Sequence, residues 1–312
     1  MSKIAQRTAF GESLIEAGEK YNDLLVVDAD LGGATKVSTF AQKFPERSFN
    51  VGIAEQNGIS VATGMAFNGY RPFMASFGVF SASRSDQIRI AAYSEAPIVI
   101  VGTHIGLTGK DGATHQALED IGLLSSLPNM NIFQPTDCVE TREIVKYLAG
   151  GEGRDMLAYL RLSRHPQRDV FDEDHKFMFN KAATLNSTKN PQGVVFTTGD
   201  IALKVLDATT ALSKKNYPLD VLSFSTLKPI DKEAIINYAE KGMPIITVEE
   251  HNPTGGLGSR VCEVVAERGL PSKVLRLGVD GFGGSGDPAD LYRKFGLDAQ
   301  GIADSVENFI YD

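Results

Sequence analysis

The chain has 312 residues, 42% hydrophobic and 22% charged, the balance of a soluble globular protein long enough for two domains. Its formal net charge of -8 argues against electrostatic attraction to nucleic acid or an anionic membrane, so basic residues should matter singly. No stretch approaches the roughly 18 to 20 consecutive apolar residues of a membrane span, and MSKIAQRTAF lacks the apolar core of a signal peptide, so a cytoplasmic location is expected. Cys138 and Cys262 stand far apart without CxxC spacing, which points to two free thiols rather than a zinc site or a disulfide framework.

Residues 8–20 (TAFGESLIEAGEK) carry helical spacing, with Phe10, Leu14 and Ile15 on one side. LLVVDADLGG then reads as a strand and a loop. Ligands gather beyond the carboxyl ends of parallel strands, so Asp28, Asp30 and the following Gly32-Gly33-Ala34-Thr35-Lys36 form either a site loop or an ordinary capped turn. VGIAEQN places Glu55 among apolar and small residues, ahead of the small-residue helix pattern GISVATGMAFNG. That carboxylate reads either as a helix cap or as a group facing something other than bulk water. Without a partner it would raise its pKa and suit proton exchange with a ring nitrogen. Phe77 and Phe80 in ASFGVF fit core positions or an aromatic binding surface.

Strand-like runs at 98–102 (IVIVG), 130–135 (MNIFQP) and 156–163 (MLAYLRLS) alternate with helical stretches at 83–93 and 141–148. This predicts a parallel sheet covered on both faces, forming a first α/β domain over 1–168. Between the runs lies THIGLTGKDGATHQ, with two of the five histidines, His104 and His115, and with Asp111, in a glycine-rich context. Such a loop is seldom needed for packing, and histidine can donate to a developing alkoxide or take a hydroxyl proton near neutral pH. The two histidines lack the i, i+4 spacing of a helical metal site, and no metal ligands are expected on this chain.

After Arg164 the periodicity breaks in a stretch rich in charge, Asn and Pro, read as a linker over 169–190. A second series follows over 191–312: strands in GVVFTTGD, DVLSFST, PIITVEEH and KVLRLGV, with helices at 201–213, 231–241 and about 258–268. It predicts a second α/β unit of independent-domain size. The closing GFGGSGDPADLYRKFGL has neither GxxxxGK[ST] nor a GxGxxG between strand and helix. It is read as flexible chain near a domain end, then a short helix.

The ordered series IAEQN, SFGVF, DGATHQ, LPNM, P-x-D and LRLSR resembles the pyrimidine-binding and C-terminal portion of transketolases and deoxyxylulose-phosphate synthases over nearly the whole chain. Only the second half of a full-length transketolase is matched, so the family reading is the C-terminal subunit of a split, two-chain transketolase. The resemblance implies two parallel-sheet α/β domains, a pyrimidine-binding domain and a transketolase C-terminal domain, and thiamine diphosphate chemistry. Glu55 falls where the family's glutamate hydrogen-bonds the pyrimidine nitrogen and favours the imino tautomer. Phe77 and Phe80 match the aromatic pair that holds that ring, and Ser83 stands where several full-length enzymes carry a further aromatic. Asp30 is assigned to the cofactor side. His104, Asp111 and His115 match positions that contact the sugar, on a loop slightly shorter than in full-length enzymes, and the two histidines are assigned catalytic proton handling.

Arg7 and Arg164 match the arginines that hold the substrate's anionic end, since a guanidinium fork suits a tetrahedral oxyanion. The family's phosphate-contacting serine has no counterpart in Gly32-Gly33-Ala34-Thr35-Lys36, so a phosphate terminus is expected, with a sulfonate or an unphosphorylated sugar end as the alternatives. Family members bind the diphosphate and Mg2+ through a GDG motif, and none occurs here: Gly199-Asp200 continues with Ile and Gly286-Asp287 with Pro. A separate N-terminal, diphosphate-binding subunit is therefore expected to supply that side, in a heterotetramer that moves a glycolaldehyde unit from a ketose to an aldose. Rival readings are a deoxyxylulose-phosphate synthase-like enzyme, a 2-oxoacid dehydrogenase β subunit, or a non-catalytic assembly subunit.

Overall fold

The computed structural model describes residues 3–311, the side chains of Ser85 and Tyr311 excepted. Met1, Ser2 and Asp312, included in the expected domain spans, lie outside the described residues. In chain order the strands are β1 (Leu24–Asp28), β2 (Ser48–Asn50), β3 (Arg71–Phe77), β4 (Val99–Thr103), β5 (Asn131–Phe133), β6 (Ala158–Leu162), β7 (Ala183–Asn186), β8 (Val194–Thr197), β9 (Asp220–Ser223), β10 (Thr226–Lys228), β11 (Ile245–Val248) and β12 (Val274–Leu277). They build a seven-stranded sheet in the order β10-β5-β6-β4-β3-β1-β2 and a five-stranded sheet in the order β12-β11-β8-β9-β7. All pairings are parallel except those of the edge strands β10 and β7. The expected architecture of two mostly parallel α/β units is therefore present. The central strands β3, β4 and β6 are buried at every position because helices cover both sheet faces.

The units are not joined as beads on a string. The stretch read as a linker contributes β7, which pairs antiparallel with β9. Its Phe177 and Phe179 pack with Phe133 and Tyr147 of the first unit. Its low periodicity reflects short contacts made to both units in turn. DVLSFST is not one strand either. Phe224 N bonds Thr197 O at 2.8 Å and Gln134 N bonds Ser225 O at 2.9 Å, so the chain leaves one sheet and joins the other within two residues. A single hydrophobic cluster runs from Val27, Ile59, Met74 and Ile100 to Phe196, Leu222, Ile245 and Val261, joining the units through apolar packing.

Among the elements not expected are β3 and the last helix. β3 begins Arg71-Pro72, a poor opening for a buried strand, and is tolerated because the Arg71 guanidinium donates to Leu148 O, Met156 O and Gly153 O. Helix Ala299–Tyr311 packs on helix Ala202–Lys214 and buries Ile302, Ala303 and Val306. The glycine-rich 281–287, read as loose chain, is hydrogen-bonded across to the loop that bears His115. Among the described residues no helix is long and apolar enough to cross a membrane.

Candidate active site

Parallel register decides which residues meet. Phe77 lies opposite Thr103, and Thr103 opposite Leu162, so β3, β4 and β6 deliver Phe77, His104 and Arg164 to one rim at their carboxyl ends. The Phe77 ring stacks on His104 at 3.8 Å between centroids and on Phe80 at 5.6 Å. His115 meets these two phenylalanines edge-on, at 6.1 Å from Phe77 and 5.4 Å from Phe80. Four residues that the sequence separates by up to 38 positions thus form one ring cluster, with stacking and edge-to-face geometries favoured by the ring quadrupoles.

His104 has φ +58°, a left-handed conformation uncommon for a residue with a side chain. Its Nε2 lies 3.4 Å from Arg7 Nη1 and its Nδ1 2.9 Å from Thr103 Oγ1. Arginine can only donate, so Nε2 is the acceptor and Nδ1 carries the proton, which it donates to Thr103 Oγ1. Thr103 Oγ1 in turn donates to Ser76 O at 3.3 Å. Burial, then the charges of Arg7 and Arg164, push the His104 pKa down to about 3, so this ring is neutral at neutral pH. It acts there as a neutral hydrogen-bonding group, not as an imidazolium.

Arg7 leaves the first turn of helix Gln6–Lys20 and donates to Ala34 O at 2.7 Å, while its Nε is buried without a partner. Burial and the Arg164 charge lower its pKa. Asp28 fixes the turn that presents Ala34: its carboxylate accepts from Leu31 N at 3.0 Å and Gly32 N at 3.1 Å, while Leu31 is the N-cap of the short helix that follows. Arg164 forms an ion pair with Asp111. Both groups are partly exposed, where such pairs contribute only about 0–1 kcal/mol, so an incoming anion can displace the carboxylate. His115 Nδ1 lies 2.9 Å from Thr114 Oγ1.

Glu55 is the first residue of helix Glu55–Phe67 rather than its cap; Ala54 occupies that position and makes no side-chain bond. The carboxylate is buried, and Arg84 Nη2 lies 4.0 Å from its Oε2. That helix packs on β3 and on the short helix Gly78–Ala82, which carries Phe80 and leads into Arg84, so the same segment serves the rings and the carboxylate. Asp30 is not gathered into the cluster. It is exposed at φ +63°, and its carboxylate accepts from Asn50 Nδ2 at 3.2 Å. Among the described residues no group of three or more His, Cys, Asp or Glu side chains is arranged to hold a metal ion.

Sequence reasoning did not single out Arg84, Thr103, Thr114, His165 or Glu250. Thr103 and Thr114 each directly precede a candidate histidine, a signal that was available; Arg84 and Glu250 meet their partners only through the fold. His165 adds to the positive field at His104, and Glu250 Oε1 accepts from Leu107 N at 2.5 Å, pinning the histidine loop near its start. Gly106, beside it, has φ +71°, and a Cβ there would stand 2.3 Å from the Glu250 carboxyl. Gly106→Ala is therefore expected to cost about 1–3 kcal/mol of stability, read as a lower urea midpoint.

Two family models match the chain. The transketolase pyrimidine-binding domain matches residues 2–168, and the transketolase C-terminal domain matches residues 182–302. A protein of Methanocaldococcus jannaschii named as a transketolase C-terminal section is 37% identical over 96% of this chain and 94% of its own length. One of the subunits of an apulose-4-phosphate transketolase from Phocaeicola vulgatus is 32% identical over 98% of both chains. A split-gene transketolase solved as an inactive β4 tetramer superposes with a TM-score of 0.86 at 37% identity, over 99% of each chain. Full-length transketolases are also matched, and the chain spans about half of their length, 49% of the human protein. With both domain models matched in order and relatives of this identity aligned nearly end to end, the chain belongs to the transketolase family, in its split form.

Proposed function

We propose that this chain is the pyrimidine-binding and C-terminal subunit of a two-chain, thiamine diphosphate-dependent transketolase that moves a glycolaldehyde unit from a ketose to an aldose. The observation that carries this reading is the convergence, at one sheet rim, of a stacked aromatic surface with neutral His104, His115 and the partnerless Nε of Arg7. These residues suit the pyrimidine side of the cofactor: a buried carboxylate at Glu55 for a ring nitrogen, and Phe77 and Phe80 for the ring face. When bound, thiamine diphosphate supplies the electron sink for carbon–carbon cleavage.

The chain's own residues bind, orient and move protons. Glu55 would exchange a proton with the ring nitrogen, and Phe77 and Phe80 would hold the ring and exclude water. His104, with Nε2 as acceptor, would take a hydrogen bond from a sugar hydroxyl in place of the one from Arg7, and His115 and Asp111 would serve further sugar oxygens. Arg7 and Arg164 would hold a phosphate or sulfonate terminus. Asp30, set apart on the β1 side, would meet the cofactor from its other edge. Since no GDG motif occurs in this sequence, the diphosphate and Mg2+ are assigned to a separate N-terminal subunit. The inactivity of the related β4 tetramer supports that division, and a heterotetramer with two sites is the assembly we infer.

The test is co-purification with the candidate N-terminal subunit, followed by titration with thiamine diphosphate and Mg2+. Turnover is expected only from the mixed complex, with phosphorylated ketoses as donors. The screen should include sulfonated ketoses and a branched pentose phosphate of the kind named for the Phocaeicola relative, with pyruvate to test the synthase and dehydrogenase readings. A single chain that takes up the coenzyme stoichiometrically and transfers carbon unaided would overturn the proposal. So would a complex that forms with no turnover on any donor.

A further inference from the structure

We propose that the C-terminal half of this chain positions the substrate loop 104–116, gripping it at its neck through Glu250 and at its tip through the glycine-rich strap 281–287. This rests on the transketolase reading, which assigns Asp111 and His115 of that loop to the sugar. The neck is closed by Gly106 N bonding Ala117 O at 2.9 Å. Next to it, Leu107 on the loop side and Leu118 just beyond are buried in the core of the second unit, with Ile201, Val205, Leu291 and Tyr292. Glu250 Oε1 accepts from Leu107 N at 2.5 Å, and Asn252 N donates to Leu118 O at 2.7 Å. Both ends of a loop that belongs to the first unit by sequence are thus rooted in the second.

At the tip the strap lies across the loop. Gln116 Nε2 donates to Gly284 O at 2.9 Å, Ser285 Oγ donates to Lys110 O at 2.8 Å, and Lys110 pairs with Asp287 at 3.6 Å. Close approach explains one of the glycines that no phosphate-binding motif accounted for. A Cβ on Gly283 would stand 1.8 Å from Gln116 Oε1, and Gly109, at φ +96°, would place one 3.3 Å from Gly286 O. Asp111 and His115 lie between these grips. Glu55, Phe77 and Phe80 hang instead on helix Glu55–Phe67 and the β3 end. Loosening the strap should therefore move the sugar groups more than the cofactor groups, which the loop touches through the rings of His104 and His115, and a small misplacement of a positioning group is enough to slow the reaction.

Gly283→Ala and the milder Ser285→Ala separate the possibilities. Amide hydrogen exchange at 107–116 is measured on the whole chain, and KM for a phosphorylated ketose, kcat and thiamine diphosphate affinity on the assembled complex. We expect faster exchange confined to 107–116 and a kcat/KM lowered on the order of tenfold, with cofactor affinity little changed. Unchanged exchange in both variants overturns the proposal, as does faster exchange with an unchanged kcat/KM, or cofactor affinity falling in step with kcat/KM. A wild-type complex without turnover would sink the transketolase reading alone; the exchange result would still decide whether the strap holds the loop.

Discussion

Glu55→Gln, assembled with the N-terminal subunit, is expected to turn over about 10²- to 10⁴-fold more slowly than wild type, the range for losing a positioned acid–base group. That corresponds to about 3–5 kcal/mol of barrier. The amide keeps the size of the carboxylate and its acceptor oxygen, so shape and much of the hydrogen bonding survive; what it cannot do is pass a proton to and from a ring nitrogen. The expected loss is therefore in kcat, with folding nearly untouched. Arg84 faces Glu55 at 4.0 Å and is more than one-third exposed, so it remains solvated when the charge opposite disappears. Reconstituted turnover, set beside an unchanged urea midpoint, checks both halves of the expectation. Near-native turnover would remove Glu55 from the mechanism.

The sequence pointed to the candidate site's residues better than to how they are assembled. His104 and His115 stood out by their glycine-rich loop, whereas Phe77 and Phe80 fit core positions equally well and were singled out by the family resemblance alone. Their mutual contact could not be read, since it depends on the register that sets Phe77 opposite Thr103. The neutrality of His104 was hidden for a related reason. It comes from burial plus Arg7, 97 residues upstream, and Arg164, which arrives on the adjacent strand.

The fold class followed from apolar runs alternating with helices. β10 and β7 escaped because edge strands of three and four residues leave too short a pattern to separate from turn. The glycine-rich tail was misjudged as loose chain because composition alone cannot distinguish glycine that confers freedom from glycine required by a close neighbour. Gly283 is of the second kind.

The larger structural effect is expected at Asp120, which appears in none of the functional motifs. Its Oδ2 accepts from Arg161 Nε at 2.8 Å and Tyr159 Oη at 2.7 Å, and neither Asp120 nor Arg161 is exposed by more than 1%. The Arg161 Nη2 donates onward to Ala117 O at the neck of loop 104–116 and to Glu250 O in the second unit, both at 2.9 Å. His251 Nε2 lies 3.8 Å from the other carboxylate oxygen, but burial lowers its pKa to about 4, so at neutral pH it leaves the pair's charge balance to Arg161. Asp120→Ala would strand a buried guanidinium, and a loss of about 3–5 kcal/mol is expected. If that variant does not fold, Asp120→Ala combined with Arg161→Met should recover much of the stability, because two apolar side chains carry no desolvation penalty.

The pH dependence gives an independent reading of the same pair. Burial pushes the Asp120 pKa up, but the Arg161 charge, the His251 charge and the hydrogen bonds from Arg161 and Tyr159 together more than offset this and leave it below the usual carboxylate value. A depressed folded-state pKa means that the stabilisation is complete above the unfolded value of about 3.9 and drains away as pH falls through the folded one. Acidification below about pH 4 should therefore cost the wild type stability that the double variant no longer has to lose, and the two urea midpoints should converge. Parallel acid slopes in wild type and double variant would show that this ion pair does not bind the loop neck to the second unit as strongly as its geometry implies.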